Sequence, residues 1–206
     1  MKDVFTTIVE KRLWLDVPCG TGSTMTYTQP LRDGLKSFLE LHNIQSMLDA
    51  PCGDYSWMSQ TQLPSNIKYI GGDIVESMIA SNQITYPTVE FLHLDISNDA
   101  LPDVDLLFCR DCLIHFSHND IVRTFENIVR SNIKYVLITN YDDEYFNNHD
   151  IQTGNFRPIS FTKDPYNFGE PVDKILDWAT GTKNGNATRH MNLWHRSEFE
   201  NFLRAR

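Results

Sequence analysis

The middle of the chain alternates between short apolar runs and amphipathic segments. Five apolar runs predict β-strands at residues 46–50, 67–71, 89–94, 104–109 and 133–139. Apolar residues at helical spacing predict helices between them, including 30–42, a short one at 55–60 and one that begins after a capping box at 117–120. This alternation of strands and helices predicts an α/β fold with a parallel sheet and right-handed crossovers.

The two ends of the chain add further elements. Phe5, Ile8, Val9, Leu13 and Trp14 are spaced as one helical face. Apolar segments at 174–178 and 190–194 predict two closing strands, and Ser197 to Glu200 predict the cap of a last helix. Between these regions, residues 141–168 are rich in Asn, Asp, Gly, Pro and aromatic residues. A disordered segment would be poor in aromatics, so we expect an ordered excursion.

Charge and composition narrow the class of function. The chain has 18 Lys and Arg against 27 Asp and Glu, a net charge of −9, which disfavours nucleic acid as a partner. No apolar run approaches the roughly 18 residues of a membrane span, and there is no signal peptide pattern. We therefore expect a cytoplasmic protein. The four cysteines are too few for a disulfide scaffold, and the pair Cys109 and Cys112 is a weak metal or redox signal.

The stretch from Met47 to Tyr55 is the strongest candidate for a ligand site. An apolar run ends in Asp49, turns through Pro51 and Gly53, and leads toward a helix. In open α/β sheets, ligands bind beyond the carboxyl ends of the strands, and glycine lets backbone approach a ligand closely. The sequence therefore predicts a ligand crevice at this turn.

Three acids, Asp49, Asp73 and Asp95, end three successive predicted strands. Asp73 follows Gly53 by 20 residues, the interval at which an acid reaches a ribose hydroxyl in dinucleotide-binding folds. Each acid alone is better explained as a helix cap or a solvated turn residue, but three at one edge favour a site. The turn has a single glycine, and Asp54 stands where a pyrophosphate would bind. These features favour an adenosine cofactor with an amino group and no phosphate.

The segments 49–54, 94–96 and 108–115, together with Asp73, resemble class I S-adenosylmethionine (SAM) dependent methyltransferases. The residues of these motifs are similar to those of a small branch of the family that is associated with polysaccharide and glycan assembly in bacteria and large algal viruses. The resemblance runs from about Thr21 to Trp194, and Pro51 departs from it, since many such enzymes have a glycine there.

The resemblance implies a Rossmann-like fold, with a mostly parallel seven-stranded sheet and helices on both faces. It implies one domain over residues 1–206, divided into an N-terminal cap over the cofactor (1–43), a SAM-binding core (44–140) and an acceptor-side excursion with closing strands (141–206).

The same resemblance implies SAM as cofactor, S-adenosylhomocysteine (SAH) as product, and a set of cofactor-binding residues. These are Thr24, Tyr27, Arg32, Asp49, Pro51, Cys52, Gly53, Asp54, Trp57, Asp73, Ile74, Asp95, Ile96 and Arg110. Arg32 would pair with the methionine carboxylate in a fork, although a surface charge on the first helix explains it equally well.

Asp111 and His115 are the candidate catalytic residues, because His115 lies four residues beyond Asp111 and one helical turn would place both on one face. A histidine has a suitable pKa to take the proton of an acceptor hydroxyl, with Asp111 orienting it or sharing the task. The alternative is a buried histidine bound to backbone. Asp111, Asp142 and Asp143 would offer oxygen ligands to magnesium, but the spacing does not decide this, and no metal ligand is assigned.

Aromatic and polar residues of the late segments are candidates for an acceptor site, because flat rings pack against sugars. They are Phe156, Arg157, Tyr166, Asn192 and Trp194, and ordinary core packing is the alternative for most of them. We hypothesise an O-methyltransferase that acts on a sugar hydroxyl of a glycan or its precursor. The sequence leaves open whether the chain is a whole protein or a domain of a larger glycan-assembly protein. The alternatives are a methyltransferase of another small molecule or of a protein side chain, and a non-catalytic SAM-binding module.

Overall fold

The computed structural model describes residues 1–14, 19–142, 147–179 and 188–206, and its centre is a seven-stranded sheet. The strands are β1 (Ser46–Asp49), β2 (Lys68–Asp73), β3 (Glu90–His93), β4 (Leu106–Cys109), β5 (Tyr135–Tyr141), β6 (Asp173–Ala179) and β7 (Thr188–His195). Their order is β3-β2-β1-β4-β5-β7-β6. The pairs among β1 to β5 are parallel, and β7 is antiparallel to both β5 and β6.

Five helices accompany the sheet in the described residues. They are α1 (Lys2–Glu10), α2 (Met25–Leu41), α3 (Glu76–Thr85), α4 (His118–Arg130) and α5 (Arg196–Ala205). Within the ranges described, no helix has the length and apolar content that crossing a bilayer requires. The predicted α/β fold with a mostly parallel seven-stranded sheet is confirmed.

The sheet has an apolar core on each face, because successive strand residues point to opposite sides. In β1, Leu48 packs into the core shared with α1, α4 and α5, whereas Met47 packs into the core shared with α2. Both side chains are fully buried. All four residues of β4 are buried, as the continuous apolar run predicts for a strand covered on both faces.

Side-chain caps fix two of the helix starts. Ser117 accepts a hydrogen bond from Asp120 N, so the predicted cap of α4 is confirmed. The predicted start of α2 at Pro30 is wrong, since the helix begins at Met25. Thr24 caps it by accepting from Tyr27 N at 3.4 Å, and Pro30 lies inside the helix.

Two other predicted helices differ from the structure. Residues 55–60 form a turn that ends in a 3-10 helix (Met58–Gln60), because Tyr55 has a left-handed φ of 59°. The last helix begins at Arg196 without a side-chain cap, so the predicted cap at Ser197 is wrong. The Glu198 side chain instead accepts a hydrogen bond from Gly169 N at 3.2 Å.

Candidate active site

A cleft opens at the carboxyl ends of β1, β2 and β4. One side is formed by strand ends and the turns after them: residues 50–54, Trp57, residues 72–75, Met78, Leu94, Ile96, residues 110–112, His115 and Phe116. The opposite side comes from the N-terminal region: Met1, Phe5, Val9, Trp14, Cys19 and Ser23. The cleft lies at the turn that the sequence singles out.

The turn after β1 requires a glycine at residue 53. Its φ is +55°, in the left-handed region, and a Cβ there would lie 2.8 Å from Cys19 Sγ. The same sulfur accepts a hydrogen bond from Asp54 N at 3.2 Å. Burial raises the pKa of the Cys19 thiol to about 12, so it remains neutral at physiological pH. Gly53 thus allows the segment at Cys19 to pack directly on the turn.

Asp73, at the end of β2, is tied to this turn and faces the cleft. Its Oδ2 accepts from Gly53 N at 3.1 Å, and its Oδ1 accepts from Val75 N at 2.9 Å. Burial raises the pKa of its carboxyl above the usual value, against the opposing effect of these amides. A carboxylate offers about four acceptor positions, so Asp73 keeps acceptor capacity for a ligand hydroxyl beside these backbone bonds.

The neighbouring wall is apolar. Ile74, Val75, Met78, Leu94 and Ile96 line it, and all except Ile74 are buried. Such a surface suits the faces of a flat heterocycle, and it lies directly beside Asp73.

Asp54 and Trp57 follow Gly53 in the chain and also line the cleft. Asp54 Oδ1 accepts hydrogen bonds from Ser56 N at 3.0 Å and from Ser56 Oγ at 2.6 Å, and its side chain also lines the cleft. Pro51 and Cys52 line it as well. A fixed carboxylate here suits a ligand ammonium group and not a phosphate.

Asp111 has an unusual backbone and a crowded carboxylate. Its φ is +52°, its N–H donates to Thr139 Oγ1 at 2.8 Å, and its Oδ1 accepts from Arg189 Nη1 at 2.9 Å. Burial alone would raise the pKa of its carboxyl, but Arg110 and Arg189 outweigh burial and hold it below the usual range. Asp111 is therefore an ionised carboxylate, not a proton acceptor, at neutral pH.

His115 ends a 3-10 helix (Leu113–His115), and its Nδ1 lies 2.9 Å from Asn155 O. Since a carbonyl only accepts, Nδ1 carries the proton and Nε2 keeps a lone pair in the neutral ring. Burial lowers the pKa of His115, against the effect of the Asn155 bond, so the ring is neutral at pH 7. The predicted helical turn from Asp111 to His115 is wrong, because Asp111 is left-handed, but both residues line the cleft.

Two of the three strand-end acids lie outside the cleft lining. Asp49 is buried and accepts from Tyr69 Oη at 2.6 Å, and burial raises the pKa of its carboxyl to about 7. Asp95 Oδ1 accepts from Ser97 N at 2.9 Å and Ser97 Oγ at 2.7 Å, as a turn residue does. This geometry gives no support to their predicted contacts with the methionine end and the adenine.

The predicted upstream residues also lie away from the cleft lining. Thr24 caps α2, and the Tyr27 ring stacks on Trp178 with centroids 4.8 Å apart. Arg32 donates to Thr28 Oγ1 at 3.2 Å and to Met25 O at 2.9 Å, which fits the alternative of a charge held on the helix. The lining from this region comes from α1, Trp14, Cys19 and Ser23. The apolar helical face that includes Phe5 and Val9 was the one sequence feature that could have indicated this lining, but the sequence did not show what that face covers.

Most of the predicted acceptor residues lie in the core. Arg157 and Trp194 are fully buried, and Arg157 Nη1 donates to Phe116 O at 2.7 Å. Tyr166 packs among Phe125, Phe161 and Phe202, and Asn192 is buried in β7. Phe156 differs, since it is 57% exposed and its ring centroid lies 5.9 Å from that of His115.

The carboxylates considered for a metal are paired with cations. Asp111 pairs with two arginines, and Asp142 Oδ2 lies 2.7 Å from His190 Nδ1 and 3.3 Å from Lys174 Nζ. Asp143 lies outside the described residues. Among the residues that the structure describes, no group of three or more His, Cys, Asp or Glu side chains is arranged to hold a metal ion.

Sheet order, cleft position and helix placement define the Rossmann-like fold of class I methyltransferases. No protein family and no curated protein matches the sequence. Solved structures do match. NodS, an N-methyltransferase from Bradyrhizobium japonicum in complex with SAH, has a TM-score of 0.65 at 11% identity, covering 94% of this chain and 98% of that one.

Two further structures are similar to this chain. A SAM-dependent methyltransferase from Leishmania major has a TM-score of 0.64 at 13% identity, covering 92% of this chain and 82% of that one. The magnesium protoporphyrin IX methyltransferase of Synechocystis PCC 6803, with SAH bound, has a TM-score of 0.56 at 13% identity, covering 94% and 97%. At these identities the likeness establishes the fold.

Proposed function

We propose that the protein is a SAM-dependent methyltransferase. The observation that carries this proposal is the cleft in which Asp73 lies beneath the Gly53 turn and beside the apolar wall. An acid with free acceptor positions next to an apolar surface fits a nucleoside without a phosphate. The fold supports the same conclusion, because methyltransferases of known structure share it.

The described residues fit SAM in one orientation. Asp73 would accept from the ribose hydroxyls, and Ile74, Val75, Leu94 and Ile96 would pack against the adenine. Asp54 would receive the ammonium of the methionine part, with Gly53 allowing close approach of the backbone. This arrangement directs the sulfur toward Asp111 and His115, which line the rest of the cleft.

SAM, when bound, supplies an electrophilic methyl group. The chain then has to align an acceptor atom and take its proton. His115 is the base in this proposal, because its Nδ1 is held by Asn155 O and its Nε2 is left as the proton acceptor. Asp111 would act as a fixed negative charge, since two arginines occupy its oxygens.

The acceptor in this proposal is a sugar hydroxyl of a glycan or glycan precursor. This part is supported by the sequence resemblance and by the exposed Phe156 ring near His115, which could pack on a sugar face. The rival acceptors are other small molecules and protein side chains. The rival outside enzymes is a non-catalytic SAM-binding module, which would have no use for the base at His115.

Titration calorimetry with SAM, followed by turnover on a panel of methyl-deficient glycans, tests the proposal. We expect Asp73→Asn to weaken SAM binding, and the exposed Asp103→Asn to serve as its matched control. We expect His115→Gln to keep SAM affinity and to lower turnover by roughly 10²- to 10⁴-fold, with the exposed His149→Gln as control.

Three results would contradict parts of this scheme. No SAM binding by the wild-type protein would overturn it entirely. Binding without turnover on any acceptor would favour the non-catalytic module, and full turnover by His115→Gln would remove that residue from the mechanism.

A further inference from the structure

Four charged side chains form a closed ring at one wall of the cleft. Arg110 Nε donates to Asp177 Oδ1 at 2.9 Å, and Asp177 Oδ2 lies 2.7 Å from Arg189 Nε. Arg189 Nη1 donates to Asp111 Oδ1 at 2.9 Å, and Asp111 Oδ2 lies 3.3 Å from Arg110 Nη1. Positive and negative charges alternate around the ring, so its net charge is zero when all four groups are ionised.

Three of the four side chains in the ring are almost fully buried, and the fourth, Asp111, is 21% exposed at the cleft. The Asp177 side chain is 0% exposed, and the side chains of Arg110 and Arg189 are 4% and 7% exposed. Burial raises the pKa of the Asp177 carboxyl, but guanidinium groups only donate, so a proton on this carboxyl would have no acceptor between them. The geometry therefore holds Asp177 as a carboxylate.

The ring joins distant parts of the chain to the cleft. Asp177 lies on β6 and Arg189 on β7, whereas Arg110 and Asp111 follow β4 and line the cleft. Arg110 Nη2 also donates to Gly22 O at 2.9 Å, which fixes the segment that carries Ser23. A Cβ at Gly22 would lie 2.6 Å from Asp111 Oδ2, so this contact is close as well.

We propose that Asp177 and Arg189 are positioning residues: they hold Arg110 and Asp111 in place and balance the charge of the cleft wall that faces the cationic sulfonium of SAM. This inference rests on the proposed function, because it needs SAM in the cleft. Neither residue lines the cleft, so both act through Arg110 and Asp111. The acidic partners are needed for charge balance, because an arginine keeps its charge at any accessible pH. It cannot relieve an excess of positive charge by losing a proton.

The ratio of SAM affinity to SAH affinity measures this balance. The two ligands differ only in the methyl group and the sulfonium charge, so effects on their shared parts cancel in the ratio. Asp177→Asn leaves two arginines against Asp111 alone, a net charge of +1 beside the cleft. We expect it to lower the SAM to SAH ratio by about tenfold, since like charges a few ångströms apart repel strongly in a partly dry site.

A second substitution should restore the ratio. Asp177→Asn combined with Arg189→Met returns the ring to zero net charge as a single Arg110 and Asp111 pair. We expect the ratio to return to within about twofold of wild type, and the double variant to be more stable than Asp177→Asn, because a buried unpaired charge is costly. Arg189→Lys keeps the charge and should keep the ratio. Arg196→Met, which removes an arginine that pairs with Glu200 on α5, is the matched control.

Calorimetry with SAM and SAH and thermal unfolding of the four variants decide the question. A merely structural role predicts that Asp177→Asn weakens both ligands equally and that the double variant is worse than the single one. Either result would overturn the inference. The proposed function would still stand in that case, provided that the wild-type protein binds SAM. If Asp177→Asn fails to fold, folding of the double variant supports charge balance, and its failure to fold contradicts it. Absence of SAM binding in wild type would overturn the proposed function instead.

Discussion

Two regions of the molecule use their polar side chains in opposite ways. At the ends of β1, β2 and β4, Asp54, Asp73 and Asp111 line the cleft. In the aromatic region, which comprises residues 147–168 and β7, Arg157 and Asn192 are buried in the packing. The polar side chains of the first region face the cleft, whereas those of the second region are part of the core.

The aromatic region still contributes to the site, through the backbone. Arg157 N donates to Ile114 O at 3.1 Å, and Gly154 N donates to His115 O at 2.8 Å. Asn155 O holds the His115 ring. This region therefore fixes the tautomer and position of the candidate base, although most of its large side chains, Phe156 excepted, face inward. The comparison shows that a segment can shape an active site without lining it.

The largest expected effect that tests this comparison is on stability. Trp194 is fully buried, packs edge-on against Phe168 and Phe161, and donates from Nε1 to Gly169 O at 3.1 Å. We expect Trp194→Ala to lower the free energy of unfolding by roughly 3–5 kcal/mol. Urea unfolding measures this, and calorimetry at low temperature should show unchanged SAM affinity in the folded protein.

Phe156→Ala is the matched control for Trp194→Ala, because Phe156 is an aromatic residue of the same region with 57% exposure. We expect a change in stability within about 0.5 kcal/mol. Loss of SAM affinity in folded Trp194→Ala, with stability retained, would show that the aromatic region binds ligand directly and would end the distinction between the two regions.

Sequence periodicity predicted the fold because the strands are consecutive apolar runs with local signals. Asp73 was placed near this turn by its distance from Gly53, and it lies there because β2 pairs in parallel with β1. Parallel pairing of adjacent βαβ units needs no information from elsewhere in the chain. The five central strands and the turn at Gly53 are therefore readable from local pattern.

Other residues depend on partners far away in sequence, and no local pattern reports them. Asp49 bonds to Tyr69, and Arg110 bonds to Asp177, 67 residues away. Arg157 is a charged residue that composition places at the surface, yet the fold buries it. The α1 helix covers the cleft because Phe5 packs on Phe116, with ring centroids 5.7 Å apart, and the sequence shows only that α1 has an apolar face.

A second prediction concerns Asp49, an acid in the first region that is buried as a core residue. Burial raises the pKa of its carboxyl from 3.8 to about 7, so the folded protein binds a proton that the unfolded chain releases above pH 4. The folded state then binds more protons across this interval, and stability falls as pH rises from about 5 to 7.5, by roughly 2 kcal/mol. We expect Asp49→Asn to remove this fall and to be more stable than wild type at pH 7.5.

Urea unfolding at several pH values measures the effect of Asp49→Asn. Asp105 is the control, since the pKa of its carboxyl is lowered by Lys134 and by backbone donors despite some burial. Its stabilising contribution is present above the unfolded pKa and is lost only as pH falls, so Asp105→Asn should be less stable than wild type at pH 7.5. An equal fall in stability with pH in Asp49→Asn and wild type would show that Asp49 does not carry the dependence.

The smallest expected effect is at Gly53, where the two sides of the cleft touch. A Cβ there would lie 2.8 Å from Cys19 Sγ, and the φ of +55° is strained for any side chain. We expect Gly53→Ala to cost about 1–2 kcal/mol of stability and to weaken SAM binding several-fold.

Gly169→Ala is the control, because its φ is not left-handed and its Cβ would meet Glu198 Oε2 only at 3.6 Å. Adding Cys19→Ala should restore the stability that is lost to the clash with the sulfur. The loss caused by the left-handed φ should remain, since it does not depend on the sulfur. A double variant no better than Gly53→Ala would show that Cys19 does not press on the turn.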